Sequence, residues 1–443
     1  MTTKQQVNIF WFRRDLRLDD NHGLYKALKD GLPVIPVFIF DKDILDELPE
    51  DDHRVSFIYD RLQEMRNELQ EKWDSSIDFR YGTPEKIWKE LLSDYDVKSV
   101  FTNHDYEPYA KKRDKEIKEL LEKEDIEFYT FKDQVIFEKD EVVKDDGGPY
   151  VVYTPYKNKW REKFNSERDL KTYDVGRYGQ NFYQNTRLPQ ISLSDMGFTR
   201  SDIKAPSYTL TDNLMGDYAD TRDFPAEEGT SKLSTYLRFG LVSVRKIMKQ
   251  AYEGPGYTFM NELVWREFFM QILWHFPYTK DQAFREKYDA IAWRNNEEEF
   301  EKWKEGKTGY PIVDAGMREL NETGYMHNRV RMIVASFLTK HLLIDWRWGE
   351  RYFAEKLFDY EMASNVGNWQ WTAGSGVDAQ PYFRVFNPHT QFEKFDKNQE
   401  YVRKWVPEYF GVGYVSEMVD HKEARERAIE TYKHSLNEYE KNN

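Results

Sequence analysis

Strand and helix signals alternate through the first third of the chain, and then strand signals stop. Short apolar runs over 7–12, 34–40, 78–81, 97–102 and 126–131 read as buried strands. Helical patterns fill the gaps, over 21–28, 54–72, 84–92 and 111–124. Asn21 stands where it can cap the first of these, and Pro84 opens the third. Such alternation predicts a doubly wound parallel sheet with helices on both faces, an α/β domain over 1–131. No Gly-x-Gly-x-x-Gly follows the first strand, so the usual dinucleotide fingerprint is absent. From 132 to 205 periodicity fades, apart from a turn cluster over 145–150 and a short helical stretch near 156–164. This is expected to be a long connection, of a length that is usually functional. Beyond it, 233–237, 244–252, 258–276, 312–320, 328–342 and 421–439 fit helices, so an all-α domain over 206–443 is expected.

Composition removes several kinds of chemistry. The 443 residues include no Cys, which excludes a disulfide scaffold, a thiolate metal site and a cysteine nucleophile. Nine His remain and no His-Glu-x-x-His occurs, so no metal is expected. No apolar run reaches the length of a membrane span, and residues 1–7 are polar rather than a signal peptide. A soluble, cytoplasmic protein is expected. The net charge of −14 opposes indiscriminate binding of polyanions. It leaves room for a local basic face, because charges more than about 8–10 Å apart are screened. Aromatic residues reach 16%, with 13 Trp, which a large aromatic core would explain.

Three segments carry unusual mixtures. In the helix expected over 258–276, Glu262, Trp265, Arg266 and Phe269 share one face. An i, i+4 pair between Glu262 and Arg266 is the ordinary explanation; a ligand site is the other. The helix from 328 places Asn328, Arg331 and Met332 on one face and turns Arg329 elsewhere. Buried Asn and Arg need partners, whereas a basic surface helix does not. The segment 359–371 is small, polar and aromatic at once, suited either to a planar ligand or to a Gly-containing turn, and its Asp359 could pair with Arg331. Finally, Thr230, Ser231 and Ser234 put hydroxyls at a helix start, which fits phosphate binding or plain N-capping.

Together these segments resemble the photolyase/cryptochrome flavoprotein family, closest to class I cyclobutane pyrimidine dimer photolyases. The resemblance covers nearly the whole chain. It starts with Trp11-Phe12-Arg13-Arg14-Asp15-Leu16-Arg17-Leu18 and continues through Gly229-Thr230-Ser231-Lys232-Leu233-Ser234. It runs on through Asn261-Glu262-Leu263-Val264-Trp265-Arg266-Glu267-Phe268 and Met326-His327-Asn328-Arg329-Val330-Arg331-Met332 to Asn368-Trp369-Gln370-Trp371. The resemblance implies FAD inside the helical domain, held by Tyr218, Thr230, Ser231, Leu233, Ser234, Phe259, Glu262, Arg266, Asn328, Arg331, Asp359 and Asn365. Phe259 departs from a Trp that some members carry, and Asn365 matches the repair-type members. It implies light-driven splitting of pyrimidine dimers in DNA, with Glu262, Trp265, Asn328, Met332 and Trp371 around the flipped-out lesion. Arg222, Arg329 and Arg384 would hold DNA phosphates. Trp369, Trp346 and Trp293 would form an electron relay that reduces the flavin.

A second, antenna chromophore is implied for the α/β domain. Arg54, Asp105 and Glu107 are similar to residues of deazaflavin-binding members, so a deazaflavin or another flavin is favoured over folate. The (6-4) photolyases place a pair of His near the lesion, and the stretch Met326-His327-Asn328-Arg329 offers one. A cryptochrome photoreceptor is the other alternative, weakened by the short stretch after 411. The expected partner is damaged DNA, with no membrane, and the expected state is a monomer.

Overall fold

The structure is a computed structural model that describes residues 4–442; the first three residues of the polar N-terminal stretch lie outside the described residues. Five strands form one parallel sheet: β1 Gln6–Phe12, β2 Val34–Asp41, β3 Asp78–Gly82, β4 Asp96–Asn103 and β5 Glu127–Phe131. Their order is β3-β2-β1-β4-β5, the doubly wound arrangement expected from the alternation. Side-chain alternation divides β1 between two cores. Phe10 and Phe12 pack with helices His22–Lys29 and His53–Trp73 on one face, while Val7, Ile9 and Trp11 pack with helices Pro84–Asp94 and Pro108–Lys123 on the other. Asn21 caps its helix by accepting from the Leu24 N–H, and Pro84 and Pro108 occupy first turns.

The chain divides into two compact units whose boundaries cut across the expected connection. One unit holds 1–138, 163–204 and 234–250; the other holds 139–162, 205–233 and 251–443. Long-range polar contacts explain why 234–250 counts with the sheet rather than with the helical domain. Buried Arg245 donates to the carboxylates of Asp20 (3.1 Å) and Asp133 (2.9 Å), and Asp133 also accepts from Arg17 (2.7 Å). The Leu16 N–H donates to the Phe239 carbonyl at 3.0 Å. Likewise, 139–162 belongs to the helical unit because helix Tyr153–Lys163 buries Tyr153, Tyr156 and Trp160 there. The Trp160 indole N–H donates to Glu267 at 2.6 Å.

The helical unit is built around a core that includes Trp303, Trp346, Phe353 and Trp369. Helix Asn328–Ser336 ends sooner than its periodicity predicts, because Phe337–His341 widens into a π-helical turn. That turn buries Lys340, whose Nζ donates to the Ala373 carbonyl at 2.8 Å, and His341, which shares a 2.8 Å hydrogen bond with His421. The segment from 362 is a continuous helix, Met362–Ala373, rather than a turn. Glu361 caps it by accepting from the Ser364 N–H and hydroxyl, and Gly374, at φ 92°, ends it in the left-handed region that glycine tolerates. Among the described residues no helix is long and apolar enough to cross a membrane.

Candidate active site

Helix Tyr257–His275 supplies the first wall of the site. Phe259 is buried and meets the ring of Tyr218, from helix Asp212–Thr221, edge-on at 5.3 Å. Three residues on, Glu262 forms an ion pair with Arg222, which follows the Tyr218 helix and sits 5.6 Å over the Tyr218 ring. Glu262 thus reaches a partner forty positions away in sequence, beyond the i, i+4 pair its spacing suggested. Burial and the nearby Glu262 charge push the Tyr218 phenol well up. Trp265, on the next turn, stacks on Tyr153 with ring centroids 3.5 Å apart and planes within 9°.

Helix Asn328–Ser336 supplies the second wall. Its N-cap, His327, accepts from the Arg329 N–H at 3.2 Å. Burial, then Arg331, lowers the His327 pKa to about 4, so the imidazole is neutral at pH 7. Asn328 is exposed. Arg331 donates to the Met326 carbonyl and to Asp359, both at 2.8 Å. The pairing of Arg331 with Asp359 is the one expected. Arg329 turns away from Arg331 but not from Met332, which lies three residues on and shares its face, contrary to the expected grouping of Met332 with Asn328 and Arg331. It pairs with Asp223 at 2.7 Å, lies 4.3 Å from the Phe395 ring centroid and reaches the sulfur of Met332. Arg329, Met332 and Arg384 line one cavity of about 440 Å³, together with Gln380, Phe386, Lys394 and Phe395.

Helix Met362–Ala373 brings in Asn365, Trp369 and Trp371. The Asn365 amide donates to both the carbonyl (3.1 Å) and the carboxylate (3.0 Å) of Glu350, which fixes its orientation. Glu350 is buried, and that burial raises its pKa. No periodicity or motif singled it out. Gly367 sits mid-helix because a Cβ there would run into the Phe269 ring. Trp369 and Trp346 are buried in the helical core, and Trp293 packs against its edge. Two further aromatics join them: Trp303 lies 6.3 Å from Trp369, and Tyr432 lies edge-on to Trp293 at 5.8 Å.

The loop over 229–233 turns through Lys232, a non-glycine residue at φ 54°. Left-handed residues in such loops aim successive N–H groups to one side and suit anions. Ser231 is buried, and its hydroxyl accepts from the Leu233 N–H at 3.3 Å. Thr230 opens onto a cavity of about 130 Å³ with Glu319, Tyr325, His327 and Tyr401. The helix that follows, Ser234–Arg238, has only five residues, so any phosphate affinity rests on the loop rather than on a helix dipole. Ser234 itself belongs to the first unit.

The antenna residues lie in the first unit. Asp105 and Glu107 both accept from Arg14, at 3.2 and 2.9 Å. Burial pushes the Asp105 carboxyl up, but Arg14, Arg13, Arg113 and Arg238 together hold it well below the usual range. Arg54 makes a two-pronged contact with Asp52, at 3.0 and 2.5 Å. The two acids therefore converge on Arg14, and Arg54 is engaged by an acid of its own turn.

Two family models match the chain: the DNA photolyase model over 8–173 and the FAD binding domain of DNA photolyase over 259–413. A deoxyribodipyrimidine photo-lyase of Agrobacterium fabrum is 37% identical, covering 98% of each chain. A class III photolyase from Agrobacterium tumefaciens superposes with a TM-score of 0.87 at 35% identity, again over 98% of each chain. An archaeal photolyase from Sulfolobus tokodaii, solved with two FAD molecules, gives a TM-score of 0.80 at 34% identity, covering 96% of this chain and 99% of its own.

A parallel α/β unit joined to a helical unit with this FAD-binding domain is the build of a photolyase-type flavoprotein. The chain belongs to the DNA photolyase family, and its activity class is that of the deoxyribodipyrimidine photo-lyases, carbon–carbon lyases of DNA repair. The expectation of a class I member meets a neighbour described as class III.

One feature of the helical unit fits a bound FAD. Asp359 is held by Arg331 through one oxygen, and its other oxygen, Oδ1, is buried with no donor among the described residues. A buried carboxylate oxygen left this way calls for a donor from a ligand, such as a hydroxyl or an imide N–H. Leaving it unmet costs about 1–3 kcal/mol or more.

Proposed function

We propose that this protein splits cyclobutane pyrimidine dimers in DNA when illuminated. Tyr218, Thr230, Ser231, Leu233, Phe259, Arg266, Arg331, Asp359 and Asn365 would hold FAD in the helical unit. FAD held there would supply light-driven one-electron chemistry. The rest of the task falls to the chain: it must bind the lesion, orient it and exclude water.

The observation that carries this reading is the cavity of about 440 Å³ in the helical unit. Its wall mixes the cations Arg329, Arg384 and Lys394 and the carboxylate of Asp223 with the apolar surfaces of Met332, Phe386 and Phe395. Cations suit phosphates on either side of a lesion, and the apolar surfaces suit the extruded bases. A dimer already disturbs stacking, so extruding it costs less than extruding sound bases. Of the residues assigned to the dimer, Met332 lines this cavity, Trp371 adjoins it through the Gln380 N–H, which donates to its carbonyl at 3.2 Å, and Trp265 and Asn328 would meet the dimer beyond the cavity lining. Glu262 accepts a hydrogen bond from the imide edge of the bases and so fixes their register. In the structure described here Glu262 is paired with Arg222 and Arg329 with Asp223. DNA phosphates compete for both arginines, and Arg222 leaving Glu262 frees the carboxylate for the lesion. Trp369, Trp346 and Trp293 would relay electrons inward from an external reductant, such as a thiol in solution, which is oxidised in turn.

We further propose that the α/β unit carries an antenna chromophore of the flavin type. The Sulfolobus tokodaii relative with two FAD molecules supports a flavin over folate. Arg54, Asp105 and Glu107 contribute to that site once their present partners yield.

Lesion type tests the reading. Reduced protein is incubated under blue light with an oligonucleotide carrying either a cyclobutane dimer or a (6-4) product, and the products are separated by chromatography. Restoration of the cyclobutane dimer alone is expected. Restoration of the (6-4) product, or of neither, overturns it.

A further inference from the structure

The stretch that reads as a featureless connection contributes an aromatic ring to the helical unit. Tyr153 opens helix Tyr153–Lys163 and is 6% exposed. Its ring lies parallel to that of Trp265, centroids 3.5 Å apart. The edge of Phe268 meets Tyr153 at 5.8 Å, and Phe269 lies along Trp265 at 5.6 Å. The Tyr153 hydroxyl donates to the Asn261 carbonyl at 2.8 Å, on the same helix as Trp265. Its backbone N–H donates to Asp378 at 3.2 Å. Asp378 lies in the loop beyond helix Met362–Ala373, at φ 47°. In that same loop the Gln380 N–H donates to the Trp371 carbonyl at 3.2 Å. One residue therefore touches the supports of both tryptophans assigned to the dimer.

We infer that Tyr153 is a positioning residue for lesion recognition. Its ring holds the plane of Trp265, and its backbone clasps the loop that braces Trp371. An indole on a half-open surface would otherwise sample several rotamers. Stacking on a ring that is itself buried and packed edge-on by Phe268 leaves one plane, so the dimer meets a surface already in place. The inference rests on the proposed dimer-binding role of Trp265 and Trp371.

Two variants test it. Tyr153→Leu keeps apolar bulk and loses the plane; Tyr153→Phe keeps the plane and loses the bond to Asn261. Each is assayed for FAD content, for binding to dimer-containing and undamaged duplexes at one salt concentration, and for KM and kcat under saturating light. Tyr153→Leu should weaken dimer binding and raise KM roughly tenfold, as expected for loss of an aromatic pair that orders its partner. Its FAD content and its affinity for undamaged DNA should stay near wild type, and Tyr153→Phe should match wild type throughout. Asp378→Ala removes the clasp and leaves the stack, so it reports even if Tyr153→Leu fails to fold, and it should lower discrimination in the same direction. Equal loss on both duplexes, or unchanged discrimination in Tyr153→Leu and Asp378→Ala, overturns the inference. A wild-type protein with no preference for dimer DNA overturns the functional reading, and the inference with it.

Discussion

Asp359 is tied to the protein at one carboxylate oxygen and left without a donor among the described residues at the other. The tied oxygen, Oδ2, accepts from Arg331, and the other, Oδ1, is buried. Replacing it with Asn removes the negative charge that offsets the Arg331 guanidinium. Breaking a fully buried pair costs about 3–5 kcal/mol. Arg331 keeps a quarter of its side chain exposed, which lowers the expected loss to about 2 kcal/mol. Asp359→Asn is therefore expected to lose FAD on dialysis, measured as flavin absorbance per protein, while its helix content stays that of wild type. Part of this was legible in the residues: the Arg331–Asp359 pair was expected. The partner of Glu262 was not, because an ion pair spanning forty positions leaves no mark on periodicity. Glu350 behind Asn365 escaped for the same reason.

At the scale of elements, helix Met362–Ala373 concentrates Asn365, Trp369 and Trp371 on two turns, and its packing depends on Gly367. Gly367→Ala gains roughly 1 kcal/mol of helix propensity. The added methyl drives into the ring of buried Phe269, and overpacking of that kind costs about 1–3 kcal/mol. The ring is flanked by Phe268 and Trp265 and has little room to yield, so the clash should win. A lower thermal midpoint than wild type is expected, and a higher one would mean that Phe269 moves freely. The strands and most long helices were readable from period alone, down to the Asn21 cap. This helix stayed ambiguous because its mixture of Gly, Ser, Asn and Trp fits a turn as well as a helix. Helix Tyr153–Lys163 was glimpsed only near 156–164, since its buried face is aromatic and its remaining positions are charged.

Over the whole molecule, a net charge of −14 coexists with a cavity wall that carries Arg329, Arg384 and Lys394. Charge placement decides DNA binding here, since distant acids are screened within about 8–10 Å. Affinity for dimer-containing duplex should fall steeply with salt, and Arg329→Ala should reduce the log–log slope by about one phosphate contact. An unchanged slope would remove Arg329 from the DNA contacts. The division into units was the least legible feature of the sequence. The change from strand to helix periodicity placed a boundary near 206, whereas the buried Arg245–Asp20 and Arg245–Asp133 pairs count 234–250 with the sheet. Long-range pairs of this kind are invisible until the chain is folded.

The measurement that bears most directly on the central claim is repair with and without light. Chemically reduced, FAD-loaded protein is mixed with a thymine-dimer oligonucleotide, and half is kept dark while half is held under blue light. Thymine absorbance should return in the illuminated half alone and be greatly slowed in Glu262→Ala, with FAD retained in that variant. Recovery in the dark, or none in the light from a protein that binds the dimer, would contradict the account.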